Sequence, residues 1–352
     1  MIPSYGLPEP PLAAPPVHAL TVANFNVLNL RLAGQVSYPN DPPPSAALFE
    51  KKTTWIGAQI DRLRADIIAF EEVWHVDALR ACFAKSELGE AAWKTIAAPG
   101  ADGHNATPKV ALASRVAMEV ESIATFPSSL SVEVPDLSAL TGPMCGWERP
   151  IAHGVATLQA GLRVHVLAAH LKSKRPRFLE SRDGIKPEDE RDPLLQTRAA
   201  LRSLIMRGAE AAGLRLLVLD LRRRYPGEPV ILLGDLNDGP HAVTTQLAAA
   251  TPGYDKSAYA TGLWSAFDVQ DKPLVAARKD VAFSHLFQGQ AEVLDHIFVS
   301  EEFVVGAARQ LGRVLHVDYY NDHLNDGRDE SRSDHGMVRA LLSYVGYAVQ
   351  SA

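Results

Sequence analysis

Polar residues collect where apolar runs stop. In "VILLGDLNDG" (230–239), Asp235, Asn237 and Asp238 follow directly on a buried-strand pattern. "IIAFEEV" ends in Glu71 and Glu72, and "VHVLAAH" ends in His170. Asp295 and His296 lie inside "EVLDHIFVS", Asp334 and His335 stand just before "MVRALLSYV", and Asn24 and Asn26 lie within "TVANFNVL". Each has an ordinary explanation alone. Gly-Asp and Asn-Asp-Gly are common turn formers. A glutamate at a strand end is usually solvated, a histidine on an apolar face is usually a satisfied core residue, and paired asparagines can bridge backbones. Their recurrence at one strand end after another is harder to explain that way, because such groups are costly to bury unless paired, protonated or metal-bound.

The residue types suit one chemistry. Asn, Asp and Glu are hard oxygen donors, the set preferred by Mg²⁺ or Mn²⁺. The chain has only two cysteines, Cys82 and Cys145, and no HExxH pair, which argues against zinc. Two free thiols is the simpler expectation for them, and one disulfide is the alternative. Histidines beside acids suit proton transfer near neutral pH. Together these groups fit metal-assisted hydrolysis of a phosphate ester. Asp235 and Asn237 share parity with Ile231 and Leu233, so a continuing strand would project both to one side.

These residues must be placed by a particular set of elements. Strands are expected at "ALTVANFNVLNL", "DIIAFEEV", "KVALASR", "PVILLGDLND", "EVLDHIFVS" and "MVRALLSYV". "PIAHGVATLQAGLRVHVLAAHLKSK" reads as two strands joined by a turn at Gln159-Ala160-Gly161. Trp55, Ile56, Ile60 and Leu63 recur at helical spacing. A long helix spans about Pro193 to Tyr225, with a break expected near Gly208 or Gly213. Residues 127–148 read as a long irregular loop. Near-continuous apolar strands are buried on both faces, and hairpin spacing favours antiparallel pairing, so two sheets under outer helices are expected in one domain. That domain covers 18–352, after a proline-rich arm over 1–17.

Net charge is −6, so a polyanion must be met by a local basic patch or a metal ion. No apolar run is long enough to cross a bilayer, and no secretory signal is visible. As written the chain is expected in the cytoplasm; as a processed mature form it would be secreted. A monomer without a stable protein partner is expected.

The series "NFNV", "AFEEV", "ERPIAHGVATL", "AAHLKSK", "GDLND", "LDHIFVS" and "SDHG", in that order, resembles the endonuclease/exonuclease/phosphatase superfamily over residues 21–340. The resemblance implies an α/β four-layered sandwich, with two mixed sheets face to face and helices outside. It also implies Mg²⁺ as cofactor, with Mn²⁺ or Ca²⁺ as substitutes. Carried over, Asn26, Glu72 and Asp334 serve the metal, Glu71 standing where the family has Gln. Asp235 activates water, Asn237 and His170 contact the phosphoryl group, and Asp295 orients His335. Arg149 stands at a phosphate-contacting position. No clear acid partner for His170 is visible; His104 and Asn105 are the nearest candidates. Asp238 and His296 are read as structural.

Lys172, Lys174, Arg175 and Arg177 follow His170 closely. Beside a catalytic histidine such a run suits phosphate-backbone contact, with Lys172 and Lys174 foremost. The leading expectation is an endonuclease acting on DNA or RNA. A phospholipid phosphodiesterase or a phosphatase is the alternative; the lipid reading would want exposed aromatics such as Trp147, Trp264 or Phe267. The third is a binding module that has lost catalysis, against which the intact residue series argues.

Overall fold

The computed structural model describes residues 17–38, 41–104, 107–251, 260–271 and 281–345. The expected N-terminal arm lies outside them, apart from Val17, and so does Asn105. The described strands are β1 (Val17–Leu30), β2 (Ile67–Val73), β3 (Thr95–Ala97), β4 (Lys109–Ser114), β5 (Met118–Thr125), β6 (Gly146–Thr157), β7 (Arg163–His170), β8 (Val230–Asp235), β9 (Trp264–Ser265), β10 (His285–Phe287), β11 (Gln290–Glu292), β12 (Asp295–Val299), β13 (Gly312–Tyr320) and β14 (Met337–Val345). The helices are α1 (Ala46–Leu63), α2 (Val76–Ala84), α3 (Ser138–Thr141), α4 (Pro193–Arg224), α5 (Val243–Ala249) and α6 (Ala266–Val269).

Two six-stranded sheets form, in the orders β13-β14-β1-β2-β4-β3 and β5-β6-β7-β8-β12-β9. Each is mixed. β1 runs parallel to β2 across the α1 crossover, and β7 runs parallel to β8 across α4. Residue parity decides which face meets which layer. Leu20, Val22, Ile67, Val166, Ile231 and Leu342 fill the space between the sheets. Phe25, Ile60, Phe70 and Phe83 pack under α1 and α2, while Leu167, Leu214, Val218 and Phe298 pack under α4. This is the expected α/β sandwich of four layers. Each such fully buried side chain contributes about 1.5 to 3 kcal/mol of transfer free energy.

The two crossover helices are capped by sequence. The Ser45 side chain accepts from the Leu48 N–H to open α1, and Asp192 accepts from the Leu194 N–H to open α4, with Pro193 at its first turn. The expected break in α4 does not occur. A Cβ on Gly213 would lie 2.4 Å from the Phe126 ring, so this glycine admits a close aromatic neighbour and does not end the helix. The presumed loop over 127–148 holds α3 and the first residues of β6.

Candidate active site

Ladder register assembles the centre. His170 pairs with Asp235 between β7 and β8, and Asp235 pairs with Asp295 between β8 and β12. Three sequence-distant residues therefore stand in one row at the strand ends of the second sheet. In the first sheet, Asn26 of β1 pairs with Glu71 of β2. Hydrogen bonds join the rows across the interior: Asn24 Nδ2 donates to Asp295 Oδ1 at 3.1 Å, and Asn26 Nδ2 donates to Asp235 Oδ2 at 3.2 Å.

His335 closes on this row from the loop before β14. Its Nδ1 lies 2.7 Å from Asp295 Oδ2 and its Nε2 lies 3.8 Å from Asp235 Oδ2. Ser333 fixes the loop, its hydroxyl donating to Asn26 O at 2.6 Å and accepting from the His335 N–H at 3.0 Å. Ligating atoms of Asp235, Asp295 and His335 lie within 4.8 Å of one another, all in buried residues. His170 Nε2 is 3.4 Å from Asp235 Oδ2, while its Nδ1 is buried without a hydrogen-bond partner. His104 is exposed and supplies none.

Burial and neighbouring charge set the protonation states. Burial opposes a charge on His335, but the carboxylates of Asp295 and Asp235 outweigh it and hold the imidazole well above its ordinary pKa. Burial, with Asp295 nearby, pushes Asp235 up to about 7 against the pull of His335. Burial, then the charges of Arg149, His335 and Lys172, keeps His170 well below the ordinary histidine value. The centre thus holds a cationic His335, a neutral His170 and an Asp235 poised near neutrality.

The two glutamates of β2 take different places. Glu71 continues the parity of Ile67 and Ala69 and is fully buried; neither of its carboxylate oxygens has a hydrogen-bond partner. Glu72 has φ +64 at a register shift between Phe70 and Val73. Such a bulge frees its side chain from either face and re-aims it. Its Oε2 accepts from the Asn29 N–H at 2.9 Å. Asp334 is exposed. Lys52, reaching from α1, donates to the carbonyls of Leu28 and Glu330; burial lowers its pKa to about 8, and the carboxylates of Glu72 and Asp334 favour its charge. Asn26, Glu72 and Asp334 offer amide and carboxylate oxygens, the donor type that suits a hard divalent cation, and the orphaned carboxyl of Glu71 lies beside Asn26 and Glu72.

Basic groups line the other side. Arg149 keeps Nε and Nη1 buried without hydrogen-bond partners. Lys172 is 8% exposed. Lys174 pairs with Glu292 at 3.0 Å, Arg177 pairs with Asp183 at 2.8 Å, and Arg175 is exposed. β8 ends at Asp235, so the parity expected of Asn237 does not apply. Asn237 has φ +55, its N–H donates to Asp235 Oδ1 at 2.8 Å, and its side-chain amide donates to Leu171 O at 3.0 Å. Asp238 pairs with Arg207 at 2.8 Å, and its carbonyl lies 2.8 Å from His296 Nε2, a structural arrangement as expected. Asn24, Glu71, Lys52, Ser333 and Glu210 were not singled out for roles in the sequence. Asn24 and Glu71 have a signal in parity, and Ser333 has one in the SDHG motif; Lys52 and Glu210 act through long-range contacts that leave none.

The two-sheet sandwich thus carries a buried carboxylate–imidazole row at its strand ends. The chain belongs to the Endonuclease/Exonuclease/phosphatase family, whose model matches residues 23–335. Solved structures share the fold at low identity. A family member from Bacteroides thetaiotaomicron has TM-score 0.53 and 15% identity, covering 94% of this chain and 97% of that one. A mannosyl-6-phosphatase of the same organism has TM-score 0.51 and 15% identity, covering 92% and 99%. D. rerio TDP2 complexed with a single-strand DNA product has TM-score 0.52 and 13% identity, covering 92% and 98%. No curated protein matches the chain. Both cysteines are free, and no helix among the described residues is long and apolar enough to cross a membrane.

Proposed function

We propose that the protein is a divalent-metal-dependent phosphodiesterase that cuts DNA or RNA by in-line attack of water. The observation that carries this is the row His170–Asp235–Asp295, closed by His335 and flanked by the unpaired guanidinium of Arg149. Asp235 takes the proton of the attacking water. Cationic His335, oriented by Asp295, meets the charge that builds on the phosphoryl oxygens. Neutral His170 and the second amide hydrogen of Asn237 contact the same group. Arg149 and Lys172 bind and orient the phosphate. A hard cation held by Asn26, Glu72 and Asp334 would supply Lewis-acid polarisation, and Mg²⁺ is the first choice, before Mn²⁺ or Ca²⁺. Asp235 and His335 titrate as a pair, so a pH profile reports both together.

Among the alternatives, the lipid reading loses the three aromatics the sequence offers it, and Phe287, 56% exposed on the β10–β11 hairpin, is the described ring that could still serve it. Trp147 and Trp264 are 5% and 7% exposed, and Phe267 packs against the inter-sheet core. The test is one assay with four substrates: supercoiled plasmid, single-stranded RNA, sphingomyelin and 4-nitrophenyl phosphate, each with Mg²⁺ and with EDTA. Nicking of plasmid or cleavage of RNA only with Mg²⁺ is expected. An intact plasmid and RNA alongside turnover of the lipid or the monoester would refute the nuclease reading.

A further inference from the structure

Helix α4 carries charge into the core. Glu210 has no exposed surface, and its carboxylate binds two backbone N–H groups of different segments. Oε1 accepts from Glu148 N at 3.0 Å and Oε2 accepts from Lys172 N at 2.5 Å. The Glu210 carbonyl also accepts from Trp147 Nε1 at 3.1 Å. One turn earlier, Arg207 donates to the Lys172 carbonyl at 3.3 Å and to Asp238 Oδ2 at 2.8 Å.

The position of these bonds is informative. β6 and β7 are paired from Thr157–Arg163 to Ala152–Ala168, and there the ladder stops. Extending the same register places Glu148 opposite Lys172. The strands have separated at that point, and the Glu210 carboxylate stands between their facing N–H groups. Arg149 leaves one side of this wedge, and His170 and Lys172 leave the other. The charge of Arg149 reaches both His170 and Lys172, so a phosphate bound among the three would meet all of them.

We propose that Glu210 is the positioning residue that sets the spacing of Arg149 and Lys172, and thereby the affinity of the site for a phosphate group. This rests on the reading of those two residues as phosphate contacts. The brace requires two acceptors. A carboxylate has them, whereas a glutamine offers one and turns an N–H donor towards the other N–H. Because the phosphate contacts act in ground state and transition state alike, their loss appears mainly in KM.

With bis(4-nitrophenyl) phosphate and Mg²⁺, Glu210→Gln is expected to raise KM about tenfold while kcat stays within about threefold. Glu210→Asp, which keeps both acceptors but is shorter, should fall between Gln and wild type. It also serves as the test protein should the Gln variant not fold. Arg149→Met should cost less in the Gln background than in wild type, since a misplaced guanidinium has less to lose. The dissociation constant for inorganic phosphate, read by calorimetry, should rise with KM and needs no turnover. A folded variant with unchanged KM and unchanged phosphate affinity overturns the brace and leaves the phosphodiesterase reading intact. A wild type that hydrolyses nothing, yet binds phosphate more tightly than the variant does, overturns that reading and keeps the brace. A wild type that neither hydrolyses nor binds phosphate overturns both.

Discussion

Asp295 and His335 are joined by a 2.7 Å contact, and Asp295 is fully buried with Asn24 donating to its other oxygen. Asp295 therefore faces two donors, and it both fixes the imidazole and favours its charge. Asp295→Asn should lower kcat by about 10² to 10³, the loss of one preorganised charged donor. It should also move the basic limb of the rate profile to lower pH, because His335 then releases its proton more easily. An unmoved limb at reduced kcat would show that Asp295 acts only as packing.

Glu71 predicts a stability effect that grows with pH. Burial, then the carboxylates of Asp295 and Asp235, raises its pKa well above the usual value. Above about pH 4.3 the unfolded chain releases this proton while the folded protein keeps it, so stability falls as pH rises, by up to about 1.4 kcal/mol per unit. Glu71→Gln removes that dependence. In EDTA, the variant should be close to wild type at pH 5 and about 2 kcal/mol more stable at pH 8 by urea unfolding. The same advantage at both pH values would mean that Glu71 is not the group responsible.

Metal binding gives a third outcome. If Glu72 holds the cation, Mg²⁺ at about a hundred times its dissociation constant stabilises the wild type by about 2.7 kcal/mol. A rise in Tm with Mg²⁺ is expected for wild type and its absence for Glu72→Gln, with activity lost in parallel. A variant that keeps the full Mg²⁺ shift would place the metal elsewhere.

Much of this centre was legible because strand parity and register are local properties. Period two in "ALTVANFNVLNL" puts Leu20 and Val22 on one face of β1 and Phe25 and Val27 on the other, and the structure buries the first pair between the sheets and the second under the helices. The same rule failed where the backbone leaves regular geometry. Asn237 lies beyond the strand at positive φ, and Glu72 sits on a bulge, so neither follows its neighbours' parity. The core-facing charges of α4 were illegible for another reason. Arg202, Arg207 and Glu210 are buried because they bind loop backbones and acids far along the chain, which no sequence window contains.

Tyr38 bears on the substrate. It is 36% exposed, stands edge-on to Trp74 at 5.1 Å, and its phenol lies within the fields of Glu72, Arg149 and Arg175. An exposed ring beside phosphate-binding groups offers a stacking surface, worth about 1 to 3 kcal/mol per base. Tyr38→Ala should therefore reduce cleavage of single-stranded DNA or RNA about tenfold. Turnover of bis(4-nitrophenyl) phosphate should be nearly unaffected. Equal loss on both substrates would indicate a role in folding the loop instead.

The last prediction concerns Gly234, which precedes Asp235 and looks in sequence like turn punctuation. It is in the middle of a sheet instead, paired with Ala169 on one side and His296 on the other. A Cβ built on it would lie 2.0 Å from the Ala169 carbonyl oxygen. The glycine lets β7 and β8 approach closely enough for His170 and Asp235 to stand side by side. Gly234→Ala should force the strands apart, costing about 2 to 3 kcal/mol and most of the activity. Gly239 gives the control, since a Cβ there meets nothing within 4 Å. Gly239→Ala should leave Tm and kcat nearly unchanged. If thermal unfolding and plasmid nicking show the two substitutions to be equally harmless, close strand approach is not what this glycine provides.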